Sequence, residues 1–191
     1  MKKLFTVLLT IFVSMNLQAQ INIYSHRHYE SDKILFKKFT DQTGIKINVI
    51  KGSADQLIER LVSEGNNSPA DILLTVDAGR LYRAKAAGIL QPVESKKMYE
   101  NVPSSMRDPD GYWFGLTVRA RVLVYSKERV KPSQLSTYED LATRKWRGKI
   151  AVRSSSNIYN QSLMASMIAA NGSRKALSWA KSVRKNMARA P

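Results

Sequence analysis

Three times between Ile21 and Gly88 a short β-rich run gives way to a segment of helical period that ends at or near a glycine. This alternation constrains the fold more than any other feature of the chain. Ile21–Ser25 reads as the first strand. Ser31–Thr43 follows, with Ile34, Leu35, Lys38 and Phe39 at helical spacing and Gly44 where a helix stops. Ile45–Ile50 alternates apolar residues with Lys46 and Asn48, as a half-buried strand does. Ser53 is placed to cap the next helix, whose apolar side is Leu57, Ile58, Leu61 and Val62, and Gly65 closes it. Asp71–Val76 supplies a third strand, Asp77 a second cap, and Leu81–Ala87 runs helically to Gly88. Strands joined through helices must cross over to pair, so the pattern predicts an α/β fold with a mainly parallel sheet covered by helices on both faces.

The middle of the chain changes character. Pro103–Gly111 is rich in turn formers, after which Tyr112–Thr117 and Arg121–Ser126 read as two longer strands, Thr137–Ala142 as a helix and Gly148–Arg153 as a strand. The serine-rich loop Ser154–Asn157 feeds a helix over Tyr159–Ala170 closed by Gly172, and Arg174–Met187 forms the last helix. Two strand–loop–helix junctions stand out, Ser25–Tyr29 and Arg153–Tyr159. Ligands of open parallel sheets gather at the carboxyl ends of strands, where loop side chains and helix N-termini converge. One such junction in each half predicts two lobes facing each other across a cleft. The first α/β lobe is placed at 20–117, and a hinge strand with the second α/β lobe at 118–191.

Ahead of the first strand, Lys2 and Lys3 precede the apolar run Leu4–Val13, and a polar stretch with small residues ends at Ala19. This is the layout of a secretory signal peptide, so residues 1–19 are read as an export segment and the protein as periplasmic. The absence of cysteine excludes disulfide frameworks, thiolate metal sites and cysteine nucleophiles. Lys and Arg number 31 against 15 Asp and Glu, a formal charge of +16. The basic residues are scattered (Lys33, Lys37, Arg80, Arg83, Arg144, Arg147), without a dense tract or interleaved stacking aromatics. The charge therefore reads as a solvated surface that attracts anions, on a monomer that does not bind nucleic acid.

Catalytic signatures are missing: there is no G-x-S-x-G, P-loop, H-E-x-x-H or G-x-G-x-x-G, and the only histidines, His26 and His28, share one loop. The chain is read as a binding protein and not an enzyme. His28 and Tyr29 sit where core packing is not expected. A hard trivalent cation such as Fe3+ favours anionic oxygen, and a phenol serves once the metal displaces its proton; an imidazole adds a nitrogen when its other nitrogen is held. A packing role with a satisfied hydroxyl is the alternative for each tyrosine. Ser154, Ser155 and Asn157 read either as helix caps or as an anion cradle beside Tyr159. Arg119 and Arg121 are either surface or hinge cations, or one of them stands behind the ligand and balances phenolate charge.

Four stretches carry a family resemblance: INIYSHRHYESDK, LIERLVSEGNNSPADILLTVDAGRLYRAKAAGILQPV, WFGLTVRARVLVYSK and LSTYEDLATRKWRGKIAVRSSSNIYNQSL. In this order they resemble the periplasmic ferric-iron-binding proteins of ABC transporters, in particular the tyrosine-rich branch found in cyanobacteria and other bacteria. The resemblance implies a two-lobed, hinged periplasmic-binding-protein-like fold with Fe3+ held in the cleft by tyrosine phenolates, with a synergistic anion in some members, and handed to an inner-membrane permease. By position, Tyr29 matches the first-lobe tyrosine ligand, His28 a histidine that coordinates iron in some members, Tyr159 the tyrosine from the second lobe, and Arg119 a basic residue near the metal or its anion. The family also supplies an adjacent Tyr-Tyr pair, and no such dipeptide occurs here. The chain given ends at Pro191, so the second lobe is expected to be incomplete and the product truncated. The competing reading is a binding protein for another anionic or small organic solute.

Overall fold

A computed structural model describes residues 19–189. The export segment expected at 1–19 thus lies, apart from Ala19, outside the described residues. Strand β1 (Gln20–Ser25) leads through a loop to helix α1 (Glu30–Thr43), then to β2 (Lys46–Lys51), α2 (Ala54–Glu64), β3 (Ile72–Leu74) and α3 (Ala78–Ala86). The three strands form one sheet in the order β2-β1-β3, and both pairings are parallel, as two helical crossovers require. Register places Tyr24 beside Ile50 on one side and Leu73 on the other. These side chains share a face with Leu57 and Leu61 of α2, and Ala70 and Ile89 complete that core. Tyr24 is fully buried; its hydroxyl donates to both oxygens of Glu64, which Arg60 and Ser68 also grip. Burial and the Glu64 hydrogen bond push the Tyr24 phenol above its ordinary value, so it packs as a neutral donor.

The helix boundaries follow local chemistry. Gly44 ends α1 in a left-handed conformation that returns its N–H to Thr40. Ser53 and Gln56 form a reciprocal capping box at the start of α2. Short helix α4 (Lys96–Asn101) lies beyond α3, and a loop then folds back under Asp108. Asp108 is 5% exposed, and its carboxylate accepts from Lys85 Nζ and from the amides of Asp110 and Tyr112.

A second core is built separately. Trp146, Ile150 and Val183 are buried together, and Leu135, Leu141, Trp179 and Met187 pack around them. Helices α5 (Ile158–Asn171) and α6 (Ser173–Asn186) carry this half, joined at Gly172, which takes a positive φ.

Several expectations for this half need correction. Tyr112–Thr117, Arg121–Ser126 and Gly148–Arg153 are not strands: Phe114 and Ile150 each make one isolated bridge, to Arg107 and Met187, and the rest is extended chain without a ladder. Expected helix Thr137–Ala142 is a short 3-10 turn at Glu139–Ala142. Among the described residues no strand lies alongside these segments, and extended backbone with no neighbour has nothing to pair with. The third strand is also shorter than Asp71–Val76.

Candidate metal centre

The loop between β1 and α1 is braced from below. The His26 amide donates to the Leu74 carbonyl and the Gly52 amide to that of Ser25, so the loop is tied to the carboxyl ends of both neighbouring strands. Arg27 makes a bidentate pair with Asp32 at 2.9 Å on both oxygens, with each side chain about one-seventh exposed. The same guanidinium lies 4.9 Å from the centroid of the Tyr29 ring, and His28 stacks on that ring with centroids 5.0 Å apart and planes inclined by 30°. Tyr29 is the residue that precedes the first turn of α1. Its ring is therefore held by a charged pair, an imidazole and a helix start together.

From the second half, Asn157 caps α5 by accepting the Tyr159 amide, which orients Tyr159 in the first turn. Arg121 lies over the Tyr159 ring at 3.7 Å, and Arg153 stands 5.9 Å from its centroid. The two hydroxyls share one partner. Arg119 donates from one nitrogen to the Tyr159 hydroxyl at 3.0 Å and from the other to the Tyr29 hydroxyl. Two phenol oxygens from residues 130 positions apart in sequence thus converge on a single guanidinium, with one imidazole beside them. Such a donor set accepts a cation that replaces the guanidinium, or an anion held by the arginines. Among the described residues no cluster of three or more His, Asp or Glu forms a separate metal site.

The serine loop is placed differently. Ser154 and Asn157 line a basic cavity of about 480 Å³ together with Arg80, Arg83, Arg153 and Asp55, which the tyrosines do not line. Ser155 points instead into an apolar groove of about 1070 Å³ along α5 and α6. Ser154 and Ser156 hydroxyls share a hydrogen bond of 2.9 Å. Sequence reasoning missed Arg27 and Asp32, and read Asp77 as the cap of α3, which it is, without its contact to Ser162. A buried ion pair from a loop residue to the first turn of the helix five positions on has no sequence signature, and the link from Asp77 to Ser162 spans 85 residues.

Comparison with known proteins fits this arrangement. The family model described as "Bacterial extracellular solute-binding protein" matches residues 67–191. The chain is 58% identical to Iron uptake protein A1 of Synechocystis over 91% of its own length and 48% of that relative, and 29% identical to an Fe(3+)-binding periplasmic protein of Serratia marcescens over 87% and 49%. A Trichodesmium protein solved in complex with iron and citrate ligands superposes with a TM-score of 0.87 at 56% identity, over 91% of this chain and 55% of that one. The chain spans about half the length of the curated relatives it matches. With its parallel sheet, separate second core and convergent tyrosines, the chain belongs to the bacterial extracellular solute-binding proteins.

Proposed function

We propose that the protein is a periplasmic solute-binding component of a ferric-iron ABC importer, taking Fe3+ as cargo between a first lobe over 20–117 and a second over 118–191. The observation that carries the reading is the bridge from Arg119 to both tyrosine hydroxyls, because it marks one spot that two oxygen donors from opposite halves reach together. In this reading Tyr29, Tyr159 and His28 ligate the metal, the phenol protons leave as iron binds, and Arg119 moves aside yet remains close enough to balance the phenolate charge. Arg119, Arg121 and Arg153 around the Tyr159 ring serve an accompanying anion, whereas Ser154 and Asn157 face the neighbouring basic cavity and Ser155 the apolar groove. Remaining coordination positions fall to that anion, to water or to donors outside this chain. The protein works as a single copy that binds without transforming its cargo, has no use for nucleic acid, and presents its closed form to an inner-membrane permease. The relatives named for iron uptake and ferric binding support the choice of metal.

Titration of the metal-free protein with Fe3+ supplied as a weak chelate tests the reading. A phenolate-to-iron charge-transfer band grows in the visible, and Tyr29→Phe with Tyr159→Phe abolishes it. A band that survives in the double variant removes these residues as ligands.

A further inference from the structure

Asp77 is the one residue other than glycine that the described backbone holds at positive φ, with φ 77° and ψ 129°. Side chains other than glycine avoid that region, and holding one there costs on the order of 1–3 kcal/mol, a strain that persists only where surrounding contacts over-determine it. The contacts that do so are on both sides of the cleft. Asp77 Oδ1 accepts the Gly79 amide at 3.0 Å, which caps α3, and the same oxygen accepts the Ser162 hydroxyl of α5 at 2.7 Å. Immediately beside it, Gly79 meets Ile158: a Cβ at Gly79 would stand 3.1 Å from the Ile158 side chain, so the absence of a side chain lets α5 seat against α3. Ile158, 7% exposed, opens the helix whose next residue is Tyr159. Ser162 lies three residues after Tyr159, so the two side chains share one face of the helix about a turn apart.

We infer that Asp77 is a positioning residue: through Ser162 it latches α5 to the start of α3 and so sets how closely the Tyr159 hydroxyl approaches that of Tyr29. The strained backbone aims the carboxylate across the cleft, the cap fixes the carboxylate in place, and the Ser162 hydroxyl closes the contact. Opening of the cleft breaks one charge-assisted hydrogen bond without unsatisfying the cap, which suits a contact made and broken in each binding cycle. The consequence for cargo rests on the iron reading; the latch itself does not.

Because the chain contains no cysteine, Lys38→Cys on α1 and Lys175→Cys on α6 place one spin label in each half. Electron–electron distance measurement on the metal-free, full chain should give a single narrow distribution. Ser162→Ala should broaden it toward longer distances, and Ser162→Thr, which keeps the hydroxyl, should restore it. In the iron arm, Ser162→Ala should speed release of Fe3+ to an external chelator about tenfold, the factor that one hydrogen bond to a charged acceptor supplies. A merely structural role would lower thermal stability without widening the distance. Distances unchanged in Ser162→Ala overturn the latch. A wild-type chain that fails to take up iron while Ser162→Ala still widens the distance overturns the iron reading and upholds the latch.

Discussion

Single residues set the most sharply defined part of this protein, and Asp108 illustrates how. Burial pushes its carboxyl up, yet the hydrogen bonds from Lys85 and from the Tyr112 and Asp110 amides outweigh burial and hold it below the usual carboxylate range. A carboxyl depressed in the folded state adds stability above its unfolded value near ~4, and loses that contribution as pH falls through the folded value. Acid should therefore loosen the 107–115 loop only once pH falls below the usual carboxylate range. Asp108→Ala leaves the Asp110 and Tyr112 amides short of their acceptor and Lys85 with the Asp110 carboxylate alone, and should cost about 2 kcal/mol at neutral pH. The same substitution should flatten the acid limb of a melting-temperature profile. A variant that keeps the wild-type slope below pH 4 would show that the carboxyl is not what acid titrates there.

Elements were legible in proportion to how much of their own punctuation they carry. The first three strand–helix units were readable because each boundary is local: Gly44, Gly65 and Gly88 end helices, and Ser53 with Gln56 begins one. Ser53→Ala should cost about 1 kcal/mol, since it removes one half of the capping box and strands the Gln56 amide; urea denaturation gives the number directly. A midpoint unchanged in that variant would mean that α2 is held by Leu57 and Leu61 alone. The strands expected at Tyr112–Thr117, Arg121–Ser126 and Gly148–Arg153 failed for the opposite reason. Their β-rich composition is real, but a strand is satisfied by a neighbour whose identity lies elsewhere in a sequence, and among the described residues only single bridges form, Phe114 to Arg107 and Ile150 to Met187. The site divides likewise. Tyr29 and Tyr159 were identifiable as residues at strand–helix junctions, whereas the Arg119 bridge and the Asp77–Ser162 contact join positions 40 to 90 residues apart and leave no periodic trace.

At the scale of the whole molecule, two opposed surface properties govern behaviour in solution. Leu116, Val118, Val122 and Val124 stand 67–90% exposed along one extended segment, and the groove lined by Leu163, Met164 and Trp179 adds further apolar surface. Contiguous apolar area of this kind promotes association. Against it stands a formal charge of +16, which repels like copies over a Debye length of roughly 10 Å at 0.1 M salt, but only about 3 Å at 1 M. Repulsion therefore dominates at low ionic strength and fails as salt rises, while hydrophobic attraction does not weaken. The protein should scatter light as a monomer in dilute buffer and associate as sodium chloride approaches 1 M. Val122→Glu with Val124→Glu should suppress that association even though each added acid lowers the net positive charge. This separates the two terms: were charge alone in control, the double variant would associate sooner than the wild type, and that result would relieve the extended segment of any part in self-contact.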